Sequence, residues 1–115
     1  MGKTKTTRCD VAAHLRTPEE MAAFLAEVRR LVEGGARKLL LDMKAVSYAD
    51  SASIGCLMDI RRLLQEQAGV LKICGLQPRV ETLISMTGVN KIIDIHRDEE
   101  EALVSLGGER GKSHA

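Results

Sequence analysis

A chain of 115 residues, 44% hydrophobic and 29% charged, has room for one domain with a modest core. Its formal net charge of +1 gives no electrostatic footprint for nucleic acid or an anionic membrane, and no apolar run approaches the ~20 residues that cross a bilayer. The aromatic residues are one Phe and one Tyr, Phe24 and Tyr48, so the core must be built from Leu, Ile, Val, Met and Ala.

Residues 1–5 are polar and lead into no apolar signal core. A strand is expected within Thr6 to Leu15, although Asp10 breaks its alternation and the strand could be short or absent. Thr17-Pro18-Glu19-Glu20 is a capping box with proline at the first helical position. Met21, Phe24, Leu25, Val28, Leu31 and Val32 follow at helical spacing, and Gly34-Gly35 ends that helix. Lys38 to Met43 reads as a strand buried on both faces.

Ser51 is expected to cap a second helix carrying Ile54, Leu57, Met58, in part Ile60, Leu63 and Leu64, which stops at Gln67-Ala68-Gly69. Val70 to Cys74 is a further strand, and Gln77 to Met86 a third helix closed by Thr87-Gly88. Lys91 to Ile95 is the fourth strand pattern. Asp98 to Leu106 is a last helix whose glutamates suit the positive end of its dipole. The alternation predicts an α/β fold: a small, mostly parallel sheet of about four strands covered by about four helices, all on one side. Residues 1–106 form the single domain, and 107–115 a flexible polar tail.

Cys9, Cys56 and Cys74 are odd in number and fit no zinc spacing, which reads as free thiols of a cytoplasmic protein. His14, His96 and His114 lie far apart in sequence, so neither a metal site nor a cofactor is expected.

The chemistry concentrates where an apolar strand ends in Asp50-Ser51 and a helix begins at once. A serine on a first helical turn can be a cap, a nucleophile or a phosphate acceptor. Backbone N–H groups and the dipole there favour negative charge. A phosphate would add about −1.5 to −2 charges and repel a partner that docks closely on this helix end. Asp50 would sharpen that repulsion and could orient the hydroxyl or a kinase-bound metal ion. Ser51-Ala52-Ser53-Ile54-Gly55 is also loosely similar to a nucleophile elbow with Ser53 as nucleophile. Its first glycine is missing, the later candidates are Asp94, His96 and the tail residue His114, nothing brings Asp94 or His96 to Ser53, and the chain is too short for that hydrolase fold. No glycine-rich loop supports a nucleotide site.

From Lys38 to Leu106 the chain resembles STAS domains, in particular bacterial anti-sigma factor antagonists. Leu40-Leu41-Asp42 followed by Val46-Ser47-Tyr48-Ala49-Asp50-Ser51 is similar to the family's strand-end signature. Gly69 to Gly75, then Val80, Leu83 and Thr87-Gly88, match its later segments in order and spacing. Lys91 to Ile95 with Glu100 to Leu103 resemble its ending. The resemblance implies a protein without enzymatic activity that binds an anti-sigma factor, itself a GHKL-type serine/threonine kinase using ATP and magnesium. The kinase phosphorylates a serine, the complex falls apart, and a phosphatase resets the cycle. It places the acceptor at Ser51, with Asp50 and Asp42 supporting it. The implied partner surface is Asp50, Ser51, Ala52, Ser53, Ile54 and Met58, on a monomer or weak dimer.

The chain departs from the family at Ala52 and Ser53, where a serine and a glycine are usual, and Ser53 becomes a rival acceptor. Arg16, in Ala13-His14-Leu15-Arg16, replaces an acid on the partner-facing edge. The alternative is a STAS interaction module not switched by phosphate, such as an accessory subunit of a membrane lipid or anion transporter, or a part of a signalling scaffold.

Overall fold

The computed structural model describes residues 6–11 and 15–106; Ala13, His14 and the expected tail at 107–115 lie outside the described residues. The elements in chain order are β1 (Thr6–Asp10), α1 (Pro18–Glu33), β2 (Lys38–Asp42), α2 (Ser51–Glu66), β3 (Val70–Cys74), α3 (Pro78–Thr87), a 3-10 turn at Val89–Lys91, β4 (Asp94–His96) and α4 (Glu99–Ser105). The strand expected within residues 6–15 is therefore short. It pairs in parallel with β2, Thr6 opposite Lys38 and Asp10 opposite Asp42. All pairings in the four-stranded sheet are parallel, and the spatial order is β1-β2-β3-β4.

Alternation along the strands divides the side chains between two cores. Leu39, Leu41, Leu71 and Ile73 point to the larger one, where Phe24, Val28 and Val32 of α1, Leu57, Ile60 and Leu64 of α2, and Val80 and Ile84 of α3 meet them. Leu40 and Cys74 point the other way and pack on Ala102 and Leu106, at and just beyond α4. The expectation that all helices share one side is thus corrected. Helices that connect successive parallel strands in one direction are held to one face by the handedness of the crossover. Among the described residues no strand of the sheet follows α4, so the crossover rule does not hold it to that face.

The fourth strand also differs from expectation, running from Asp94 to His96 instead of Lys91 to Ile95. Gly88, at φ 81°, closes α3 in a left-handed conformation, and the chain winds on through the 3-10 turn. Ile92 and Ile93 both donate to the Val89 carbonyl, at 3.0 and 2.9 Å, so Ile93 plugs the core from a turn.

At the C-terminal end of β2 a buried carboxylate ties these parts together. Asp42, 4% exposed, accepts from Arg8 Nη2 at 2.8 Å, Lys44 Nζ at 2.6 Å and the Lys44 backbone N–H at 3.0 Å. Arg8 also pairs with Asp10 at 2.8 Å and with Glu99 of α4 at 2.9 Å. Gly75, at φ 77°, passes so close that a Cβ there would sit 3.1 Å from Asp42 Oδ1. Burial pushes the Asp42 carboxyl up, but the Lys44 side-chain and backbone hydrogen bonds, with help from Arg8, outweigh it and hold the carboxyl below the usual carboxylate range. A carboxyl held low in the fold stabilises above its unfolded value of about 3.9 and loses that contribution as pH falls through the folded value. Asp42→Ala is expected to cost about 1–3 kcal/mol, since the two cations keep water or other acids. In denaturant titrations from neutral to acid pH, Asp42→Asn should lose stability less steeply at the acid end than the unsubstituted chain.

Candidate functional site

The loop after β2 runs through Lys44 to Ala49 and delivers Asp50 in extended backbone, φ −139° and ψ −170°. Asp50 caps α2; the cap expected at Ser51 is one residue earlier. Asp50 Oδ1 accepts from the Ser53 N–H at 3.0 Å, and the Asp50 N–H donates to Ser53 Oγ at 3.2 Å, which completes a capping box. A carboxylate is at least as good a cap as a hydroxyl and reaches the same N–H. Ser51 is therefore the first helical residue. It is exposed, and its hydroxyl has no hydrogen-bond partner among the described residues.

Ser53 has the opposite fate. It is wholly buried, with Oγ 3.0 Å from Asp50 Oδ1 and 3.2 Å from the Leu15 carbonyl. A hydroxyl has one proton to give, so these two acceptors share it. The contact fastens the first turn of α2 to the segment just ahead of α1. The Ser53 N–H and hydroxyl, with a further N–H from Ala52, hold the Asp50 carboxyl below the usual carboxylate range. It is a full negative charge beside Ser51 at neutral pH.

The residues named from sequence thus separate into two sets. Asp50, Ser51 and Ala52 are exposed, whereas Ser53 and Ile54 are buried and Met58 is half-buried against the larger core. Asp42 is engaged by Arg8 and Lys44 on the side of the sheet that α4 covers. Arg61 Nε donates to the Ile92 carbonyl at 3.1 Å, and Arg62 pairs with Asp59 at 3.1 Å.

Sequence reasoning missed a cleft of about 530 Å³ lined by Leu15, Arg16, Ala45, Val46, Ser47 and Tyr48. The Tyr48 hydroxyl is 3.5 Å from Asp50 Oδ2, so the cleft adjoins the start of α2. Arg16 is its one charged lining residue. The resemblance already sets Arg16 on the partner-facing edge, but nothing local to it marks Ala45 to Tyr48 as its neighbours.

Among the described residues no hydrolytic centre forms at Ser53, which is sealed from solvent; His114 lies outside them. Asp94 pairs with Lys72, and His96 Nε2 lies 3.2 Å from Ser105 Oγ. Ser105 stands at the C-terminal end of α4, where the unpaired groups of the helix are carbonyls and not N–H donors. The contact tethers α4 to β4.

A family model described as STAS domain matches residues 19–102. The chain belongs to the STAS domain family. The anti-sigma-B factor antagonist of Bacillus subtilis (strain 168) is 37% identical over 70 residues, 61% of this chain and 63% of the relative. The anti-sigma F factor antagonist of Paenibacillus polymyxa is 29% identical over 68 residues, 59% of this chain and 58% of the relative. The chain therefore spans about three-fifths of the length of these relatives.

Among solved structures, an anti-sigma-factor antagonist (STAS) domain protein from Planctomyces limnophilus superposes with a TM-score of 0.77 at 20% identity, covering 92% of this chain and 96% of that one. The STAS domain of a SulP transporter from Vibrio cholerae gives 0.73 at 18% identity, covering 98% and 89%. At these identities the likeness is one of fold.

Because the cap and the exposed hydroxyl are on different residues, their substitutions should separate. Asp50→Ala is expected to cost about 0.5–2 kcal/mol in chemical denaturation. Ser51→Ala should leave stability within about 0.5 kcal/mol of the unsubstituted chain.

Proposed function

We propose that this STAS domain is an antagonist of an anti-sigma factor, acting by binding and not by catalysis, and that its binding is switched by phosphorylation of Ser51. The partner in this reading is an anti-sigma serine/threonine kinase, and a phosphatase restores the binding form. The observation that carries it is the contrast between two serines in one helical turn. Ser51 offers a free hydroxyl at the helix start, and Ser53 has its hydroxyl spent inside the fold. The names of the sequence relatives support the antagonist role.

The physics of the switch follows from the position. A phosphate at the first helical residue meets the positive end of the dipole, so the domain itself tolerates it. The same phosphate stands beside the ionised Asp50, and together they present a strongly negative point to any surface docked there. Phosphorylation would change what the domain binds while leaving the fold alone.

The test is phosphate transfer from ATP and magnesium by an anti-sigma kinase, with the site located by peptide mass mapping. Incorporation at Ser51 and none in Ser51→Ala is expected. Ser51→Asp should weaken kinase binding by about tenfold or more, read by calorimetry, while Ser51→Ala binds as tightly as the unsubstituted chain. Incorporation at Ser53, or equal affinity of the Ser51→Asp variant, would sink the switch. Binding without any transfer would favour the second reading, an interaction module that carries no phosphate, which draws on the fold likeness to the transporter domain.

A further inference from the structure

Among the described residues nothing pairs with the outer edge of β1. The hydrogen bond from the Val11 N–H to the Asp42 carbonyl, at 2.9 Å, fixes which residues of this strand face β2. In a parallel pair the residues that point both backbone groups at a neighbour alternate along the strand. Cys9 and Thr7 share the parity of Val11 and face β2. The backbone groups of Thr6, Arg8 and Asp10 therefore face outward, an open row of donors and acceptors.

The side chains on this edge are self-complementary in one antiparallel register. With Cys9 on a two-fold axis, Arg8 of one copy stands opposite Asp10 of the second copy, and Asp10 opposite the second copy's Arg8. Those are the residues whose backbone groups point outward, so each Arg8–Asp10 pair is a hydrogen-bonded pair, with opposite charges directly across. Cys9 then meets Cys9 of the second copy as a non-hydrogen-bonded pair, with Cα atoms about 4.5 Å apart, within the ~4.4–6.8 Å that a disulfide spans.

Neighbouring registers are worse. A shift that centres the axis on Arg8 sets two guanidinium groups opposite each other. A one-residue slip places Cys9, from the side of the sheet facing the larger core, opposite a charged side chain. Asp10 is free to take part, because its side chain is 65% exposed and Arg8 retains Asp42 and Glu99 if Asp10 changes partner.

We propose that the occupant of the β1 edge is a second copy of this chain, joined antiparallel about Cys9 into one continuous eight-stranded sheet. The surface is distinct in its residues from the start of α2, and the proposal does not rest on the phosphate switch.

Sedimentation velocity across a concentration series, with the intact chain under reducing conditions, is the test. Growth of a species of twice the chain mass is expected. Diamide at mildly alkaline pH should then trap it: two Cys9 thiols give two electrons and two protons to diamide and form one S–S bond. The alkaline medium is needed because burial pushes the Cys9 thiol up. Cys9→Ser should abolish the trapped dimer, and Asp10→Lys should shift the reducing-condition equilibrium to monomer at least tenfold. As a check that needs no variant, the Arg8 and Asp10 amides should gain hydrogen-exchange protection as concentration rises. A monomer throughout the soluble range overturns the proposal. So does a dimer that Asp10→Lys leaves intact, or one whose Arg8 and Asp10 amides gain no protection.

Discussion

One buried carboxylate organises this fold. Asp42 sits at the end of β2, where the chain must leave the sheet and travel to α2. A lone charge with so little access to water would be costly, and it is stable only because Arg8 comes from β1 and Lys44 from the outgoing loop. That requirement sets the position of the edge strand, aims the loop, and forces Gly75 to pass without a side chain. Through Arg8 it reaches Glu99 and so the first turn of α4. The edge strand, the loop that delivers Asp50 and the helix on the far face thus converge on one ion cluster.

The start of α2 divides its tasks among adjacent residues. Asp50 satisfies the helix end, Ser53 locks the first turn to the Leu15 carbonyl, and Ser51 does neither. The serine that replaces the usual glycine in this family is thereby explained as an internal fastener. It removes the conformational freedom of glycine at that point and joins α2 to the segment before α1. A rigid frame thus surrounds the Ser51 hydroxyl, which that frame does not use.

Much of the architecture was legible because local signals and global pattern agree. The Thr17 capping box, the doubly apolar β2 and the Gly88 stop each appear in the sequence as they do in the structure. The misreadings have a common physical source. Ile92-Ile93 has the apolar content of a strand, but the chain there is still unwinding from α3, and composition does not distinguish a plug from a strand. The placement of α4 follows from connectivity, since among the described residues no strand comes after it, and not from its residues. Asp50 and Ser51 are both good caps by type, and only the backbone decides between them. The Asp42 cluster joins residues far apart in sequence, and nothing local to Arg8 announces it.

The spatial order of the strands repeats their order in the chain, and this has a consequence for assembly. No strand is ever inserted between two that are already paired. As the chain emerges from a ribosome, β1 meets β2 across α1, then β3 adds to β2, then β4 to β3, so the sheet grows at a single advancing edge. Each addition closes a loop of one helix, the smallest closure a parallel sheet permits, which keeps contacts short in sequence for this class of fold. The advancing edge is exposed only until the next strand is made. Among the described residues nothing closes the opposite edge, at β1, after that first pairing.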